Sequence, residues 1–257
     1  MTIWEAFFLG LIQGVTEFLP ISSSGHLELA QYFLGFEKLQ SYVLFNLICH
    51  LGTLGSILYM FLPQIKQSLI TERNHIFHII LGTLPLFPLV LILKPIKATF
   101  DQPQYLGLCF LFSAALLFSG VYFRLQMQKK HSLRDCLTIG LFQAVAVLPG
   151  ISRSGATISA ARLLGWDKQD AIQFSFLLAI PAILGGTFLE IWQFLKLPAS
   201  EIPPIEIGQF LTGFITSFMI GCASLWAVIQ MMTQDKWVYF AWYCLFIGIA
   251  TTLYFQM

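Results

Sequence analysis

The sequence has little charge of either sign. Lysine, arginine, aspartate and glutamate make up 11% of its 257 residues, and the formal net charge at pH 7 is +1. Soluble domains carry roughly 25% charged residues, and domains that bind nucleic acid are usually strongly basic. The scarcity of charge therefore argues against a soluble protein, and the near-neutral balance gives no reason to expect a nucleic-acid partner.

Cysteine is also scarce, and the five residues show no metal-binding spacing. Four of them lie inside apolar runs, where free cysteine usually behaves as a small buried hydrophobe; the five are Cys49, Cys109, Cys136, Cys222 and Cys244. The N-terminus lacks the cationic segment of a cleaved signal peptide and carries Glu5 and Glu17 instead. We therefore expect neither a cysteine metal site nor a cleaved leader.

Apolar residues are what the chain has in abundance. They make up 57% of the sequence, which includes 25 phenylalanines and 6 tryptophans, and the mean hydropathy is +0.75. Crossing a bilayer takes about 20 helical residues, and six apolar stretches have that length: 43–62, 76–93, 105–124, 173–195, 208–230 and 237–256. The sequence therefore predicts an all-α integral membrane protein with six transmembrane helices.

Two further apolar stretches are interrupted by polar residues. The stretch 3–35 is broken by the segment 20–26, and the stretch 136–165 is broken by the segment 149–155. Each half has roughly 10–16 residues and is about 15–24 Å long as a helix, which is too short for a bilayer core of ~30 Å. Because irregular backbone at membrane depth must be buried in protein or lie beside water, we predict two re-entrant helical hairpins.

The two interrupted stretches are also copies of one another, about 130 residues apart. Gly10-Leu11-x-Gln13-x-Val15 matches Gly140-Leu141-x-Gln143-x-Val145, and Ile21-Ser22-x-Ser24-Gly25 matches Ile151-Ser152-x-Ser154-Gly155. Self-similarity of this kind indicates a tandem repeat. Each repeat holds one hairpin and three spans, and because three is odd the second repeat must insert upside down. The sequence therefore predicts a single membrane domain over 1–257, made of two inverted repeats at about 1–130 and 131–257.

The polar breaks contain the residues best suited to chemistry on phosphate. In each break, serine and glycine lead into the second half-helix, whose N-terminus offers free N–H groups and partial positive charge to an anion. Arg153 adds a guanidinium that can hold phosphate oxygens in a bidentate fashion. Hydroxyl groups come from Ser22, Ser23, Ser24, Ser152, Ser154 and Thr157. Two anion sites that converge suit a diphosphate better than a single carboxylate.

Residues around the first break could act on such a phosphate. Gln13 and Glu17 are spaced i, i+4 on one helix face, and a carboxylate beside a phosphate is favourable only with a divalent cation between them. We therefore expect Glu17, with Gln13, to bind Mg²⁺ or Ca²⁺. His26 could transfer protons near neutral pH. Ser23 could accept the phosphoryl group with help from His26; the alternative is that His26 activates water.

Each of these residues also has a purely structural interpretation. Serine and glycine in membrane segments often serve close helix packing, and Glu17 and Arg153 could form an ion pair that joins the hairpins. Charges at membrane depth are nevertheless costly and usually functional. His50, alone on an apolar helix, is interpreted as a packed, hydrogen-bonded residue, and Glu190 as a side chain that reaches the membrane interface.

The undecaprenyl-diphosphate phosphatases of the bacitracin-resistance type have two signatures that this sequence resembles. The first is similar to Gln13-Gly14-Val15-Thr16-Glu17-Phe18-Leu19-Pro20-Ile21-Ser22-Ser23-Ser24-Gly25-His26, and the second to Pro149-Gly150-Ile151-Ser152-Arg153-Ser154-Gly155-Ala156-Thr157. The resemblance covers essentially the whole chain. It implies a multi-pass enzyme of the bacterial inner membrane that has re-entrant loops, requires a divalent cation and converts undecaprenyl diphosphate to undecaprenyl phosphate. That reaction recycles the lipid carrier of peptidoglycan synthesis, and excess activity confers bacitracin resistance.

The resemblance also implies roles for individual residues. Glu17 corresponds to the essential acid of the first signature, and Ser23 and His26 correspond to the candidate nucleophile and proton-transfer group. The phosphate-binding set of the second signature corresponds to Ser152, Arg153 and Thr157. Gln13 departs from the form of the family with two acids, because many members have glutamate there, so Glu17 would have to suffice as the carboxylate ligand.

A second function class fits the same pattern. Inverted repeats with broken helices around a midplane anion site are typical of secondary transporters, so a flippase of a polyprenyl phosphate is the alternative to a phosphatase. Transport alone gives no reason for Glu17, Ser23 and His26 beside a phosphate site, which favours the phosphatase. A homodimer is compatible with the sequence, which sets neither the oligomeric state nor the prenyl chain length.

Overall fold

The computed structural model describes residues 1–35, 42–70, 73–88, 103–123, 131–196, 206–234 and 236–256, and all regular secondary structure in these ranges is helical. The longer helices are α1 (Ile3–Thr16), α2 (Ser23–Phe33), α3 (Val43–Met60), α4 (Leu62–Ile70), α5 (Arg73–Thr83), α6 (Pro103–Tyr122), α7 (Leu133–Val145), α8 (Arg153–Leu163), α9 (Lys168–Phe194), α10 (Ile207–Thr233) and α11 (Val238–Gln256).

Four helices in the described ranges are long and apolar enough to cross a bilayer, namely α6, α9, α10 and α11. They correspond to the predicted spans 105–124, 173–195, 208–230 and 237–256. The predicted span 43–62 is α3, which with α4 counts as a fifth span bent by 67°. The predicted span 76–93 begins within α5, but its residues from 89 onward lie outside the described ranges. The all-α membrane class is therefore confirmed, while the count of six spans stays a prediction.

The outer faces of these long helices are apolar, as contact with lipid requires. Phe188 on α9, Trp226 on α10 and Phe246 on α11 are 67%, 61% and 66% exposed, and many other large apolar side chains are exposed with them. A soluble protein rarely leaves so much contiguous apolar surface in water. The chain is a multi-pass membrane protein.

Each interrupted stretch forms two short helices with an irregular break between them, as the sequence predicts. The helices α1 and α2 have 14 and 11 residues, and α7 and α8 have 13 and 11, so none of the four can cross a core of ~30 Å alone. The helices α1 and α7 end at Thr16 and Val145, a few residues before Pro20 and Pro149. Proline lacks an N–H and disfavours helical backbone in the residue before it, which favours a helix end ahead of it.

The local signals that bound these short helices recur at an offset of 130 residues. Thr2 and Ser132 cap α1 and α7, and each side chain accepts the N–H of the third helical residue. Gly35 and Gly165, with φ of +76° and +88°, follow the ends of α2 and α8, as expected where a helix closes in left-handed backbone. The repeat seen in the sequence therefore extends to local structure, while the inverted insertion stays a prediction.

The two breaks meet in the interior of the helix bundle. A Cβ added to Gly25 would lie 2.7 Å from Phe110 Cζ and 2.9 Å from the Cα of Gly150, so only glycine permits this approach. The second break is held by Ser113 on α6, whose Oγ donates to the carbonyl of Gly150 (3.1 Å) and accepts the N–H of Ser152 (2.9 Å). The close approach brings the N-termini of α2 and α8 to a common site.

Candidate functional site

A cavity of about 180 Å³ lies between the two breaks. Polar side chains from both breaks line it, namely Glu17, Ser22, Ser23, Ser24, Ser152 and Arg153. Further polar residues outside the breaks complete the lining: Thr16, His50, Thr187 and Glu190. The volume is below the roughly 300–1,000 Å³ of pockets that enclose a drug-sized ligand, so the cavity can hold a polar headgroup but not a long lipid tail.

Glu17 and Arg153 join the two breaks by an ion pair. The guanidinium nitrogen Nη2 of Arg153 donates to Glu17 Oε1, and Nη1 lies 3.5 Å from the carbonyl of Ala179. Only 4% of the Glu17 side chain is exposed, against 21% of that of Arg153. The ion pair raised as a structural alternative is therefore present, and it lies on the wall of the cavity.

The second carboxylate oxygen of Glu17 has different partners. Ser23 Oγ donates to Glu17 Oε2 at 2.6 Å, and Gln13 Nε2 donates to the same oxygen at 2.9 Å. Charge-assisted hydrogen bonds of this length are the stronger kind. The hydrogen of the Ser23 hydroxyl therefore points to Glu17 and not to His26, the partner expected from the sequence.

The N-termini of α2 and α8 have matching serine caps. Ser22 Oγ accepts the N–H of Gly25 at 3.4 Å, and Ser152 Oγ accepts the N–H of Gly155 at 3.1 Å. The first N–H groups of a helix have no acceptor within it, and each cap takes only the third of them. Two helix ends with N–H groups left to bind an anion therefore border one cavity.

The backbone of Ser22 is unusual. Its φ is +71°, and it is the non-glycine residue with positive φ in the part of the chain that the structure describes. Such a conformation is strained for a residue with a side chain and is concentrated at functional sites. In the second break a glycine, Gly150, provides the positive φ (+88°), so the strain falls on the first break alone.

His26 lies on α2 but is not part of the cavity lining. Its Nδ1 lies 2.7 Å from the carbonyl oxygen of Ser22, and its Nε2 lies 2.8 Å from the hydroxyl of Tyr243 on α11. The ring stacks on Tyr243 with centroids 5.6 Å apart and meets Phe110 edge-on. Both ring nitrogens are thus engaged by protein, and the predicted proton-transfer role of His26 stays a prediction.

Two predicted phosphate ligands of the second break also lie off the cavity. Ser154 Oγ lies 3.3 Å from Ser152 Oγ and 3.4 Å from the carbonyl of Leu19. Thr157 Oγ1 donates to the carbonyl of Arg153 at 2.9 Å or shares a hydrogen with Ser175 Oγ at 2.5 Å. These contacts hold the N-terminus of α8 against its neighbours, so both residues act on the site through packing and not through the cavity surface.

Two residues of the cavity were interpreted from the sequence as structural only. His50 Nδ1 lies 2.6 Å from Gln13 Nε2 and 3.6 Å from Glu17 Oε2, and Glu190 lines the cavity from α9. The signal that could have found Glu190 is a carboxylate within an apolar helix, since an ionisable residue inside a membrane segment is a functional candidate by default.

The oxygen donors around Glu17 fit a divalent cation whose remaining ligands would be substrate oxygens. Among the described residues there is no group of three or more His, Cys, Asp or Glu side chains that could hold a metal. Gln13 Oε1, however, is buried without a hydrogen-bond partner in the described part of the chain. An amide oxygen and a carboxylate are the hard donors that Mg²⁺ and Ca²⁺ prefer, and Mg²⁺ often takes the rest of its ligands from phosphate and water.

The comparison with known families decides which family the chain belongs to. Residues 6–250 match the family model described as Bacitracin resistance protein BacA. The chain belongs to the BacA family. The family expected from the two signatures is thereby confirmed, and the match includes both breaks and the cavity between them.

Curated relatives of this BacA-family chain align over nearly their whole length. An undecaprenyl-diphosphatase of Bacteroides fragilis (strain YCH46) is 36% identical over 269 residues, which cover 100% of both chains. An undecaprenyl-diphosphatase of Rhodopirellula baltica (strain SH1) is 40% identical over 253 residues, which cover 95% of both. A third protein of that name, from Korarchaeum cryptofilum, is 36% identical over 97% of this chain and 98% of its own.

Proposed function

We propose that this chain hydrolyses undecaprenyl diphosphate to undecaprenyl phosphate and inorganic phosphate. Full-length similarity to proteins named undecaprenyl-diphosphatase supports the reaction. The observation that carries it is the meeting of Arg153, two helix N-termini and the Glu17–Ser23 pair on one cavity. The reaction returns the lipid carrier to peptidoglycan synthesis, and family membership ties it to bacitracin resistance.

The anion-binding groups of the cavity account for recognition of the diphosphate. Arg153 and the N-termini of α2 and α8 offer positive charge on two sides of the cavity. A single phosphate could not contact both sides, whereas a diphosphate can. Binding exchanges the internal contact between Glu17 and Arg153 for contacts of Arg153 with phosphate oxygens. Because a buried charge that loses its partner is unfavourable, this exchange needs a cation to take the place of Arg153 beside Glu17.

Glu17 and Gln13 are the residues that would hold that cation, Mg²⁺ or Ca²⁺, which supplies neutralisation of the phosphate charge. Glu17 Oε1 and Oε2 have separate partners, so one carboxylate can both bind a cation and accept a hydrogen bond. Phosphoryl transfer depends mainly on positioning and charge neutralisation. The cavity provides positioning and charge neutralisation with few titratable groups.

Ser23 is the best-placed nucleophile. Its Oγ would attack the terminal phosphorus while its hydrogen passes to Glu17 Oε2, 2.6 Å away. The bond from that phosphorus to the bridging oxygen then breaks, and undecaprenyl phosphate leaves. Water afterwards cleaves the phosphoserine to inorganic phosphate and regenerates Ser23. Direct attack by water is the alternative, and for the route through His26 that residue would first have to turn towards the cavity.

The polyprenyl tail of the substrate lies in lipid under this proposal. The cavity is too small to enclose it, and apolar side chains such as Leu19 and Ile183 are part of the lining. The apolar outer surface of the bundle gives the tail a continuous lipid environment. We place the enzyme in the cytoplasmic membrane of a bacterium, the inner membrane where an outer one exists, and its assembly as a homodimer stays a prediction.

The first test is phosphate release from undecaprenyl diphosphate by the purified protein in detergent. We expect release that EDTA abolishes and that Arg153→Ala lowers by roughly 10²–10³-fold, since one charge-stabilising group contributes about that much. Arg134→Ala, which removes an exposed arginine of α7 away from the cavity, is the matched control and should stay near the wild-type rate.

Two outcomes would contradict the proposal. No release from well-folded wild type at any divalent cation tried would favour the polyprenyl phosphate flippase instead. Full activity in Ser23→Ala would exclude Ser23 as nucleophile, whereas a phosphoserine trapped at Ser23 after acid quench would support it.

A further inference from the structure

His50 reaches the wall of the cavity from α3, a helix that belongs to neither broken hairpin. Its Nδ1 lies 2.6 Å from Gln13 Nε2 and 3.6 Å from Glu17 Oε2, and 26% of its side chain is exposed. The residue lines the cavity. It therefore touches both side chains that would hold the cation.

The hydrogen bonds around Gln13 fix which end of its amide faces Glu17. An ionised carboxylate can only accept hydrogen bonds, so the Gln13 atom 2.9 Å from Glu17 Oε2 must be the nitrogen. An amide nitrogen can only donate, so His50 Nδ1, at 2.6 Å, must be the acceptor. Thr53 Oγ1, at 3.4 Å, lies beside the same nitrogen.

This orientation leaves the oxygen of Gln13 without a protein partner. Gln13 is fully buried, and no hydrogen-bond partner for Oε1 exists in the described ranges. Burying an acceptor without a donor is unfavourable, and most such atoms in native structures have a protein, water or ion partner. An amide oxygen suits a hard divalent cation, and the carboxylate of Glu17 is joined to the same amide.

We propose that His50 is a positioning residue that turns the Gln13 amide so that its oxygen, together with Glu17, serves a divalent cation. The proposal rests on the proposed function, because the cation belongs to it. Without an acceptor at the position of Nδ1, Glu17 Oε2 is the one close acceptor left for the amide nitrogen among the described residues. The amide is then held less firmly, and in the molecules in which it rotates it presents its nitrogen, which cannot bind a cation. His50 acts only through Gln13 and needs no contact with substrate.

Two variants distinguish the effect of losing the hydrogen-bond acceptor from the effect of changing the side-chain volume. His50→Phe keeps a planar ring but has no acceptor. His50→Asn is smaller but can place a carbonyl oxygen near the position of Nδ1. The matched control is His78→Phe, which removes a histidine from α5 away from the cavity. Thermal unfolding in detergent verifies that each variant is folded.

The readout is Mn²⁺ binding to the purified protein without substrate, measured by electron paramagnetic resonance. We expect His50→Phe to weaken binding by about 10–100-fold, as loss of a residue that orients a metal ligand typically does. His50→Asn should stay within about threefold of wild type, and His78→Phe should equal it. In phosphate release, His50→Phe should raise the Mg²⁺ concentration for half-maximal rate, with a smaller effect on the rate at saturating Mg²⁺.

Three results would overturn the role of His50. They are unchanged Mn²⁺ binding in His50→Phe, a loss in His50→Asn as large as in His50→Phe, and no Mn²⁺ binding by wild type. Failure of the proposed function has a different signature, since wild type would then bind Mn²⁺ and yet release no phosphate. In that case the Mn²⁺ data on the variants still decide the role of His50.

Discussion

The first break, between α1 and α2, and the second, between α7 and α8, match at an offset of 130, apart from a one-residue slip at Pro20 and Pro149. Both end in a capping serine at the start of a short helix. Glu17 and Ser23 of the first nevertheless correspond to Val147 and Arg153 of the second. The repeat thus places one helix N-terminus on each side of the cavity, with an acid and a hydroxyl on one side and a guanidinium on the other.

The support behind the two breaks differs in the same way. Ser113 on α6 bonds directly to the backbone of the second break, at Gly150 and Ser152. Tyr243, which stands 130 residues after Ser113, contacts the first break through the ring of His26. The second break is therefore held through its backbone by one side chain, Ser113. The first is held through two side chains in series, His26 and Tyr243, and a substitution of either one can interrupt the contact.

The largest effect is expected when the first break receives the residue of the second. Glu17→Val removes the acceptor of Ser23 and leaves Arg153 without its carboxylate, so the rate of phosphate release should fall by about 10³-fold or more. Steady-state kinetics in detergent measure it. Glu5→Gln is the control, because glutamine at that position keeps the capping box of α1. A rate within tenfold of wild type would contradict the assignment of Glu17.

Tight packing should make the first break less tolerant of a methyl group than the second. Gly25→Ala would place Cβ 2.7 Å from Phe110 and should lower the free energy of unfolding by about 1–3 kcal/mol. Gly155→Ala, at the matching position, meets its nearest atom at 3.1 Å and should cost less. Thermal unfolding of both in detergent tests the order, and a reversed order would show that the breaks do not pack as described.

A smaller effect should follow from loosening His26. Tyr243→Phe keeps the stacked ring and removes one hydroxyl, and a hydrogen bond of this kind is worth about 0.5–1.5 kcal/mol net. The value of kcat/KM should therefore fall at most about tenfold. Tyr239→Phe, at an exposed position of the same helix, is the control. An unchanged kcat/KM in Tyr243→Phe would mean that this contact does not support the site.

The smallest effect is expected at the glutamine of the second repeat. Gln143 is buried, and neither its amide nitrogen nor its oxygen has a partner in the described ranges. Gln143→Leu removes two unpaired polar atoms at little change in volume, so activity should stay at the wild-type level and the unfolding temperature should stay equal or rise. Gln13→Leu should instead lower activity about tenfold or more. Loss of activity in Gln143→Leu would place the second glutamine in the site.

Much of the molecule follows from the sequence because its strongest signals are local. Long apolar stretches need helices in a bilayer, and a serine ahead of glycine marks the start of a helix whatever surrounds it. The breaks, their repetition and the choice of Glu17, Ser23 and Arg153 as site residues came from such patterns. His50 did not, because an isolated histidine on an apolar helix has the same local pattern whether it packs in a core or lines a site.

The sequence by itself determined the membrane class, the duplicated broken helices and the family, since length, hydropathy and motif order are properties of one chain segment at a time. Only the tertiary structure decided which site residues form hydrogen bonds and ion pairs with one another. It paired Glu17 with Arg153 across 136 residues, gave Ser23 to Glu17 instead of His26, and brought His50 to Gln13. Hydrogen bonds and ion pairs act over a few ångströms, so their partners depend on which helices pack together, and no local pattern records that.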